Sequence, residues 1–146
     1  MLLKNMADKH RFTFDFDKAL NEQLIEQFES SPNVSLTENI APSEKGVYAL
    51  YRNGKIVYAG KALDIKLRRR LNEHMRKIIG RNNIELAEVT CRPLVIESDW
   101  LVRAAEDTLI RTYNPEWNKS GFGSHIPGAG RPGKRISKWD TEFPPK

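Results

Sequence analysis

The chain has 146 residues, of which 39% are hydrophobic and 29% are charged, and this composition predicts one soluble globular domain. Its net charge of +5 favours a polyanionic partner. The single cysteine, Cys91, excludes an internal disulfide and a cysteine-rich zinc site, and no apolar run is long enough for a membrane span or a signal peptide. A cytoplasmic location is therefore expected.

The first predicted element is an amphipathic helix that Asp15 or Asp17 can cap and that ends near Ser30. Its apolar residues recur at every fourth position and form one stripe, namely Phe16, Leu20, Leu24 and Phe28. Residues 31–45 are rich in Ser, Pro, Asn and Thr, which predicts a loop.

A β-hairpin follows. The segments GVYALYR and KIVYAG are rich in β-forming residues and flank Asn53-Gly54, a pair that favours a two-residue hairpin turn. This arrangement predicts that Tyr48 and Tyr58 lie on adjacent strands.

A basic helix is expected from about residue 64 to residue 79, and Gly80 can end it. Its apolar positions are Ile65, Leu67, Leu71, Met75, Ile78 and Ile79. The segment CRPLVIES, residues 91–98, predicts a third strand, which Pro93 weakens at its start. Another helix is expected from Ser98 or Asp99 to Tyr113, where an Asn-Pro pair stops it.

The residues after Asn118 are rich in Gly, Pro, Lys and Arg and show no periodicity. They contain the aromatic residues Phe122 and Trp139, yet the absence of a pattern predicts a loop or an arm outside the core. The order of elements predicts the α+β class, with a small, three-stranded, mostly antiparallel sheet flanked by helices. The expected division within one domain is an N-terminal helix and loop at 1–45, a core at 46–118 and a basic C-terminal arm at 119–146.

Charge is unevenly distributed along the chain. Residues 61–82 contain eight Lys and Arg against two acidic residues, and residues 119–146 contain six against two. Between them, residues 83–118 contain three basic residues against seven acidic ones. The two basic blocks are either solvated surface or two arms that grip a phosphate backbone, and charge alone does not separate these interpretations.

Glu106 is the strongest single candidate for chemistry. On a helix it lies beside the apolar face that contains Val102 and Leu109, so its carboxylate needs a cation, a hydrogen-bond donor or a metal. The alternative is a structural salt bridge to Arg103 or Arg70, which is favoured when Glu106 is considered alone.

Arg70 and His74 are four residues apart on the basic helix and share a face. Arginine suits bidentate contact with a phosphate, and histidine can donate a hydrogen bond or move a proton. Tyr48 and Tyr58 are either cross-strand core aromatics or, if a cation such as Lys61 lowers the tyrosine pKa, part of an acid–base site. For each pair taken alone, the structural interpretation is the simpler one.

In combination these residues resemble the GIY-YIG nuclease family. The chain contains GVY and then VYAG, an Arg and a His four residues apart, a Glu, and an Asn twelve residues after it. Ala59 stands where the family usually has Ile or Val. The resemblance is closest to the type II restriction endonuclease branch that cuts GC-rich palindromic DNA. Residues 46–146 carry it in the strings YAGKA, LNEH, RTYNPEWN, GFGSHIPGAGR and SKWDTEFP.

The resemblance implies the GIY-YIG fold and a double-strand DNA endonuclease. It implies that Glu106 binds one divalent cation, Mg²⁺ with Mn²⁺ as a substitute, and that cleavage of both strands involves a homodimer or sequential nicking. Rival interpretations are a nonspecific, structure-selective or mobile-element nuclease of the same fold, and a DNA-binding module without catalysis. The intact candidate residues argue against the second rival.

The resemblance also implies roles for the other site residues. Tyr48 resembles the general base that takes a proton from water, and Tyr58 resembles a second tyrosine of the site. Arg70 would hold the scissile phosphate, and His74 would hydrogen-bond Tyr48 or the phosphate.

Two further residues complete the implied site. Asn118 would brace it, and Lys61 would lower the tyrosine pKa or contact phosphate. The candidates for contacts with DNA all lie in the two basic blocks and are Arg68, Arg69, His125, Arg131, Lys134 and Arg135.

Overall fold

An antiparallel β-sheet forms the centre of the protein. The computed structural model describes residues 2–38, 40–123 and 136–146, with side chains from residue 6 onward. Within these residues the strands are β1 (Val34–Ser35), β2 (Gly46–Arg52), β3 (Lys55–Ala62) and β4 (Val89–Val95). The helices are α1 (Leu2–Lys9), α2 (Phe16–Ser30), α3 (Leu67–Ile79), α4 (Asp99–Tyr113), α5 (Glu116–Ser120) and α6 (Lys138–Glu142), with 3₁₀ turns at Leu36–Glu38 and Leu86–Glu88.

The strands lie in the order β1-β4-β2-β3, and each neighbouring pair is antiparallel. The α+β class and the antiparallel sheet flanked by helices are thus confirmed. The prediction of three strands was wrong by one, because β1 lies in the segment that was predicted to be a loop. A strand of two residues has no alternation to detect, and only its pairing of Val34 with Cys91 identifies it.

The predicted hairpin of β2 and β3 places the two tyrosines on one face of the sheet. Asn53 and Gly54 adopt φ values of 51° and 83°, as a two-residue hairpin turn requires. Tyr48 pairs with Gly60 across the hairpin, and Leu50 pairs with Tyr58. Side chains two residues apart on a strand share a face, so Tyr48 and Tyr58 are diagonal neighbours.

Alternate residues of the sheet enter two separate cores. On one face, Val47, Ala49 and Ala59 pack with residues of α2 and α4. On the other face, Tyr48 and Tyr58 pack with α3 and with aromatic residues near the C-terminus. The second face therefore carries the candidate site. Among the described helices, none is long and apolar enough to cross a bilayer.

The three predicted helices form close to their expected limits, as α2, α3 and α4. The Asp15 side chain caps α2 by accepting a hydrogen bond from the Lys18 backbone N–H at 3.1 Å. In α3 the buried residues are spaced by four, three and four positions, and they are Leu67, Leu71, His74 and Ile78. This spacing directs His74 into the protein. The short helix α1 was not predicted.

The prediction that the C-terminal tail lies outside the core was wrong for the described residues 121–123 and 136–146. Phe122, Trp139 and Phe143 are at most 1% exposed. Trp139 and Phe122 pack with ring centroids 4.8 Å apart, and both pack on Trp117 of α5. Burial of three large aromatic side chains outweighs the absence of periodicity in this segment.

Candidate active site

A buried cluster of two tyrosines and a histidine lies where the hairpin meets α3. Tyr48 Oη and His74 Nε2 are 2.6 Å apart and share a hydrogen bond whose donor depends on the imidazole tautomer. The Tyr58 ring centroid lies 6.2 Å from that of Tyr48 and 5.5 Å from that of His74. Tyr48 is fully buried, whereas Tyr58 is 7% exposed and borders an open cleft. Three predicted site residues are thus brought together.

Gly60 provides the space that the Tyr48 hydroxyl occupies. A Cβ atom at residue 60 would lie 2.5 Å from Tyr48 Oη and 2.9 Å from Tyr58 Cε2. Both distances are shorter than real carbon contacts allow, and both tyrosines are held by their strands. The glycine that ends VYAG therefore permits the approach of the two rings.

Arg70 lies one helical turn before His74 on α3 and lines the cleft. Its Nη1 donates to Glu73 Oε1 at 3.2 Å. Its Nε is buried and has no hydrogen-bond partner among the described residues. A buried donor without a partner is costly, so the guanidinium is suited to receive a polar ligand in the cleft.

Glu106 also lines the cleft, where it pairs with Lys61. Lys61 Nζ donates to Glu106 Oε1 at 3.0 Å, and the two side chains are 39% and 22% exposed. As an alternative to metal binding, the sequence offered a salt bridge from Glu106 to Arg103 or Arg70. The observed partner of Glu106 is instead Lys61 of β3. A partly exposed pair of this kind contributes only about 0–1 kcal/mol to stability.

Asn118 braces the outer edge of β3. Its Oδ1 accepts from the Ala59 backbone N–H at 2.9 Å, and its Nδ2 donates to the Ala59 carbonyl at 2.8 Å. The side-chain amide thus satisfies both backbone groups of Ala59, as a neighbouring strand would. These bonds fix the strand that carries Tyr58 and Gly60.

Burial controls the ionisation of both tyrosines. It raises the pKa of Tyr48 well above its ordinary value, and Tyr58 raises it further, although Arg70 opposes the shift. Burial likewise raises the pKa of Tyr58, and Arg70 again opposes it. For Arg70, burial lowers the pKa, but Tyr48, Tyr58 and Glu73 together raise it, so the net shift of the pKa is upward. The expectation of a lowered tyrosine pKa is therefore not met, and the opposing cation is Arg70.

The DNA-contact candidates divide into two groups. Arg68 and Arg69 are exposed on the first turn of α3, and Arg68 Nε also donates to the Ala41 carbonyl at 2.8 Å. His125, Arg131, Lys134 and Arg135 lie outside the described residues.

Phe122 is a part of the site that no motif in the sequence indicated. Its ring centroid lies 5.0 Å from that of Tyr58 and 4.9 Å from that of His74. The adjacent Gly123 lies so close to the Tyr58 hydroxyl that a Cβ atom at residue 123 would overlap the hydroxyl oxygen. An aromatic residue four positions after Asn118 was the available signal, since isolated aromatics in polar segments are often buried.

The donor set of the cleft limits which metal it can hold. Among the described residues, no three His, Cys, Asp or Glu side chains converge. Glu106 and the exposed Asp64 are the carboxylates that line the cleft. A single carboxylate suits Mg²⁺, which commonly binds one or two carboxylates together with waters and substrate phosphates. Zinc would require more ligands from the protein.

The chain contains a GIY-YIG domain, as its match to a family model shows. The sequence model of the family described as the Eco29kI GIY-YIG domain matches residues 44–146. The chain therefore belongs to the Eco29kI GIY-YIG domain family. The expected class, a GIY-YIG nuclease, is thus confirmed.

Comparison with solved structures found the N-terminal GIY-YIG endonuclease domain of UvrC from Thermotoga maritima. Its magnesium-bound form is 25% identical over 57% of this chain and 94% of that chain, with a TM-score of 0.44. A point mutant bound to its catalytic divalent cation is 24% identical over 56% of this chain and 92% of that chain, also with a TM-score of 0.44. Comparison with curated protein sequences gave no match.

Proposed function

We propose that the protein is a Mg²⁺-dependent, sequence-specific, restriction-like endonuclease that hydrolyses both strands of GC-rich palindromic DNA. One observation carries the proposal: a single cleft is lined by Arg70, Glu106 and Tyr58, and the Tyr58 ring packs on the buried Tyr48–His74 pair. The buried Nε of Arg70 has no hydrogen-bond partner among the described residues. Arginine suits the phosphate, the carboxylate suits a hard cation, and the tyrosine supplies an oxygen for proton transfer.

In the proposed reaction, water attacks the scissile phosphorus and the bond to the leaving oxygen breaks. Tyr48 takes the proton of the water, and His74 orients the Tyr48 oxygen and donates to it when that oxygen is ionised. Arg70 holds the phosphate and stabilises the charge that develops on its oxygens. Tyr58, at the surface of the cleft, hydrogen-bonds to the phosphate or the water.

The cation site of this proposal consists of Glu106 and the phosphate itself. Bound there, Mg²⁺ supplies electrostatic stabilisation of phosphate oxygens. Lys61 lines the same cleft and pairs with Glu106, and in this proposal it contacts the phosphate. Asn118 keeps β3 in place through its two bonds to Ala59.

Contact with DNA is proposed through Arg68 and Arg69 of the first basic block and through the second basic block. Arg68 and Arg69 project from α3 beside the cleft, and they contact the phosphate backbone. The segment 119–146 is proposed to read the sequence. Since one chain has one cleft, two copies acting on a palindrome account for a double-strand cut.

The proposed function is tested with purified protein and supercoiled plasmid. We expect cleavage with Mg²⁺ or Mn²⁺, none with EDTA, and recovery when Mg²⁺ is restored. Sequencing of the ends should give one recurrent GC-rich palindrome, and direct conversion to linear plasmid would support two copies acting together. Cleavage at unrelated sites would favour a nonspecific or structure-selective nuclease, and binding without cleavage would favour a DNA-binding module.

Arg131 provides the test of sequence reading. Arginine can donate to guanine N7 and O6 in the major groove, so Arg131→Ala should weaken cognate binding by about 1–3 kcal/mol and spare nonspecific binding. A contact with phosphate alone would lower both affinities equally and reduce the salt dependence by about one charge. Affinities for cognate and random DNA at two salt concentrations distinguish these results, and equal losses would contradict the reading role.

A further inference from the structure

Lys77 contacts the aromatic residues that pack on the cluster of Tyr48, Tyr58 and His74. Its Nζ donates to the Phe122 backbone carbonyl at 2.7 Å. The same nitrogen lies 4.8 Å from the Phe122 ring centroid and 5.0 Å from that of Trp139, within range for cation–π attraction. Lys77 therefore fixes Phe122 through both its backbone and its ring.

Phe122 in turn contacts the side chains that the proposed reaction uses. Its ring packs at 35° to the His74 ring and meets the Tyr58 ring edge-on, at an interplanar angle of 68°. The Tyr58 ring packs against His74 at 70°. The rings of His74, Phe122 and Tyr58 thus pack mutually, with centroids 4.9 to 5.5 Å apart, and His74 Nε2 meets the Tyr48 hydroxyl.

The spacing on α3 accounts for this arrangement. His74 and Lys77 are three residues apart and occupy the same helical face, so one aromatic ring contacts both. The χ2 torsion of histidine has a broad, roughly two-fold preference, so intrinsic torsional energy does not select one ring orientation. Packing on the imidazole adds to the hydrogen bond with Tyr48 in keeping Nε2 directed at the hydroxyl.

A purely structural role for Lys77 is a poor explanation of these contacts. Burial lowers the pKa of Lys77, and Asp140 opposes that shift. The burial cost falls on the charged form of the side chain. Nearby core positions are filled by apolar side chains, and an apolar side chain at residue 77 would avoid that cost.

We propose that Lys77 and Phe122 are positioning residues for the cleavage reaction, an inference that rests on the proposed function. Lys77 holds the Phe122 carbonyl and ring, and Phe122 holds the His74 imidazole in the orientation that meets Tyr48. The C-terminal segment is in this way coupled to the orientation of the base.

The first test is kinetic and compares Lys77→Met with Arg81→Met. Both side chains place a cation 5.0 Å from the Trp139 ring centroid, but Arg81 otherwise contacts Asp140 at 2.8 Å and the Phe143 carbonyl at 2.9 Å. Lys77→Met should lower kcat about 10- to 100-fold with little change in KM. Lys77→Arg, which keeps the positive charge, should have a kcat close to that of the wild type. Arg81→Met should cleave at the wild-type kcat even if the midpoint temperature of its thermal unfolding falls.

The second test needs no cleavage. With ¹⁵N-labelled histidine, and with His74→Gln to assign the signals of the three histidines, the His74 ring should show one fixed tautomer in the wild type and in Arg81→Met. Lys77→Met and Phe122→Leu should show averaged ring signals. If either variant fails to fold, the other decides. The inference would be overturned if Lys77→Met and Phe122→Leu gave ring signals identical to those of the wild type. It would also be overturned if kcat fell in step with thermal stability in both Lys77→Met and Arg81→Met. An inactive wild type with the expected ring signals would instead refute the proposed function alone.

Discussion

Glu106→Gln is expected to reduce DNA cleavage by about 1,000-fold or more while DNA binding is retained. A loss of this size corresponds to about 4 kcal/mol in the barrier, which is in the range that a divalent cation supplies to phosphoryl chemistry. The amide is isosteric with the carboxylate but carries no charge, so it should bind Mg²⁺ weakly. The hydrogen bond from Lys61 at 3.0 Å can still be accepted by the amide oxygen, so the fold should be unaffected.

Asp107→Asn is the matched control for this substitution. Asp107 is the next residue on α4, and it faces solvent, where its Oδ2 accepts from Arg111 Nε at 2.9 Å. The same change of charge there should leave cleavage unchanged. Calorimetric titration with Mg²⁺ in the presence of DNA should show heat beyond that of DNA alone for the wild type and the control, but not for Glu106→Gln. Wild-type cleavage by Glu106→Gln would rule out Glu106 as the metal ligand.

Local signals were sufficient for the elements that position the site. The Asn53-Gly54 pair predicted the hairpin because few residue pairs adopt positive φ twice, and the hairpin then placed Tyr48 beside Tyr58. The spacing of apolar residues predicted α3 and the shared face of Arg70 and His74. These features depend on residues close together in the chain, which is why a single sequence is enough to find them.

Contacts between residues far apart in the chain could not be predicted from such local patterns. The bond between Asn118 and Ala59, and the pair of Lys61 with Glu106, join residues 59 and 45 positions apart. Helical periodicity places Glu106 beside the apolar face of α4, but only the packing of α4 on β3 selects Lys61 over Arg103 or Arg70. The partner of a side chain depends on how elements pack, which periodicity does not encode.

The C-terminal segment shows a second kind of limit. Gly, Pro and basic residues predicted an arm, and composition is a valid guide to the average behaviour of a segment. However, Phe122, Trp139 and Phe143 contribute far more burial energy each than the neighbouring residues. A few large aromatics decided the placement of the described part of this segment, which an averaged composition conceals.

Tyr48→Phe is expected to slow cleavage by at least about 100-fold, equivalent to about 2.7 kcal/mol in the barrier. The substitution keeps the ring in its place against Gly60 and removes the oxygen that lies 2.6 Å from His74 Nε2. Because burial raises the pKa of Tyr48, the phenolate is a minor species at neutral pH. Below the tyrosine pKa, each unit rise in pH increases the phenolate about tenfold, so the wild-type rate should climb on the alkaline side of neutral.

Three variants separate the roles in this cluster, with rates measured under single-turnover conditions from pH 6 to pH 9. Tyr48 is fully buried while Tyr58 reaches the cleft, so burial alone would select Tyr58 as the base. The hydrogen bond to His74 selects Tyr48, because an imidazole N–H stabilises the phenolate. We therefore expect Tyr48→Phe to lose both the rate and its alkaline rise, and Tyr58→Phe to be slower but to keep the rise. His74→Ala should require higher pH for the same rate, because the phenolate loses its donor. A Tyr48→Phe enzyme that cuts normally while Tyr58→Phe or His74→Ala is inactive would assign the base to that other residue.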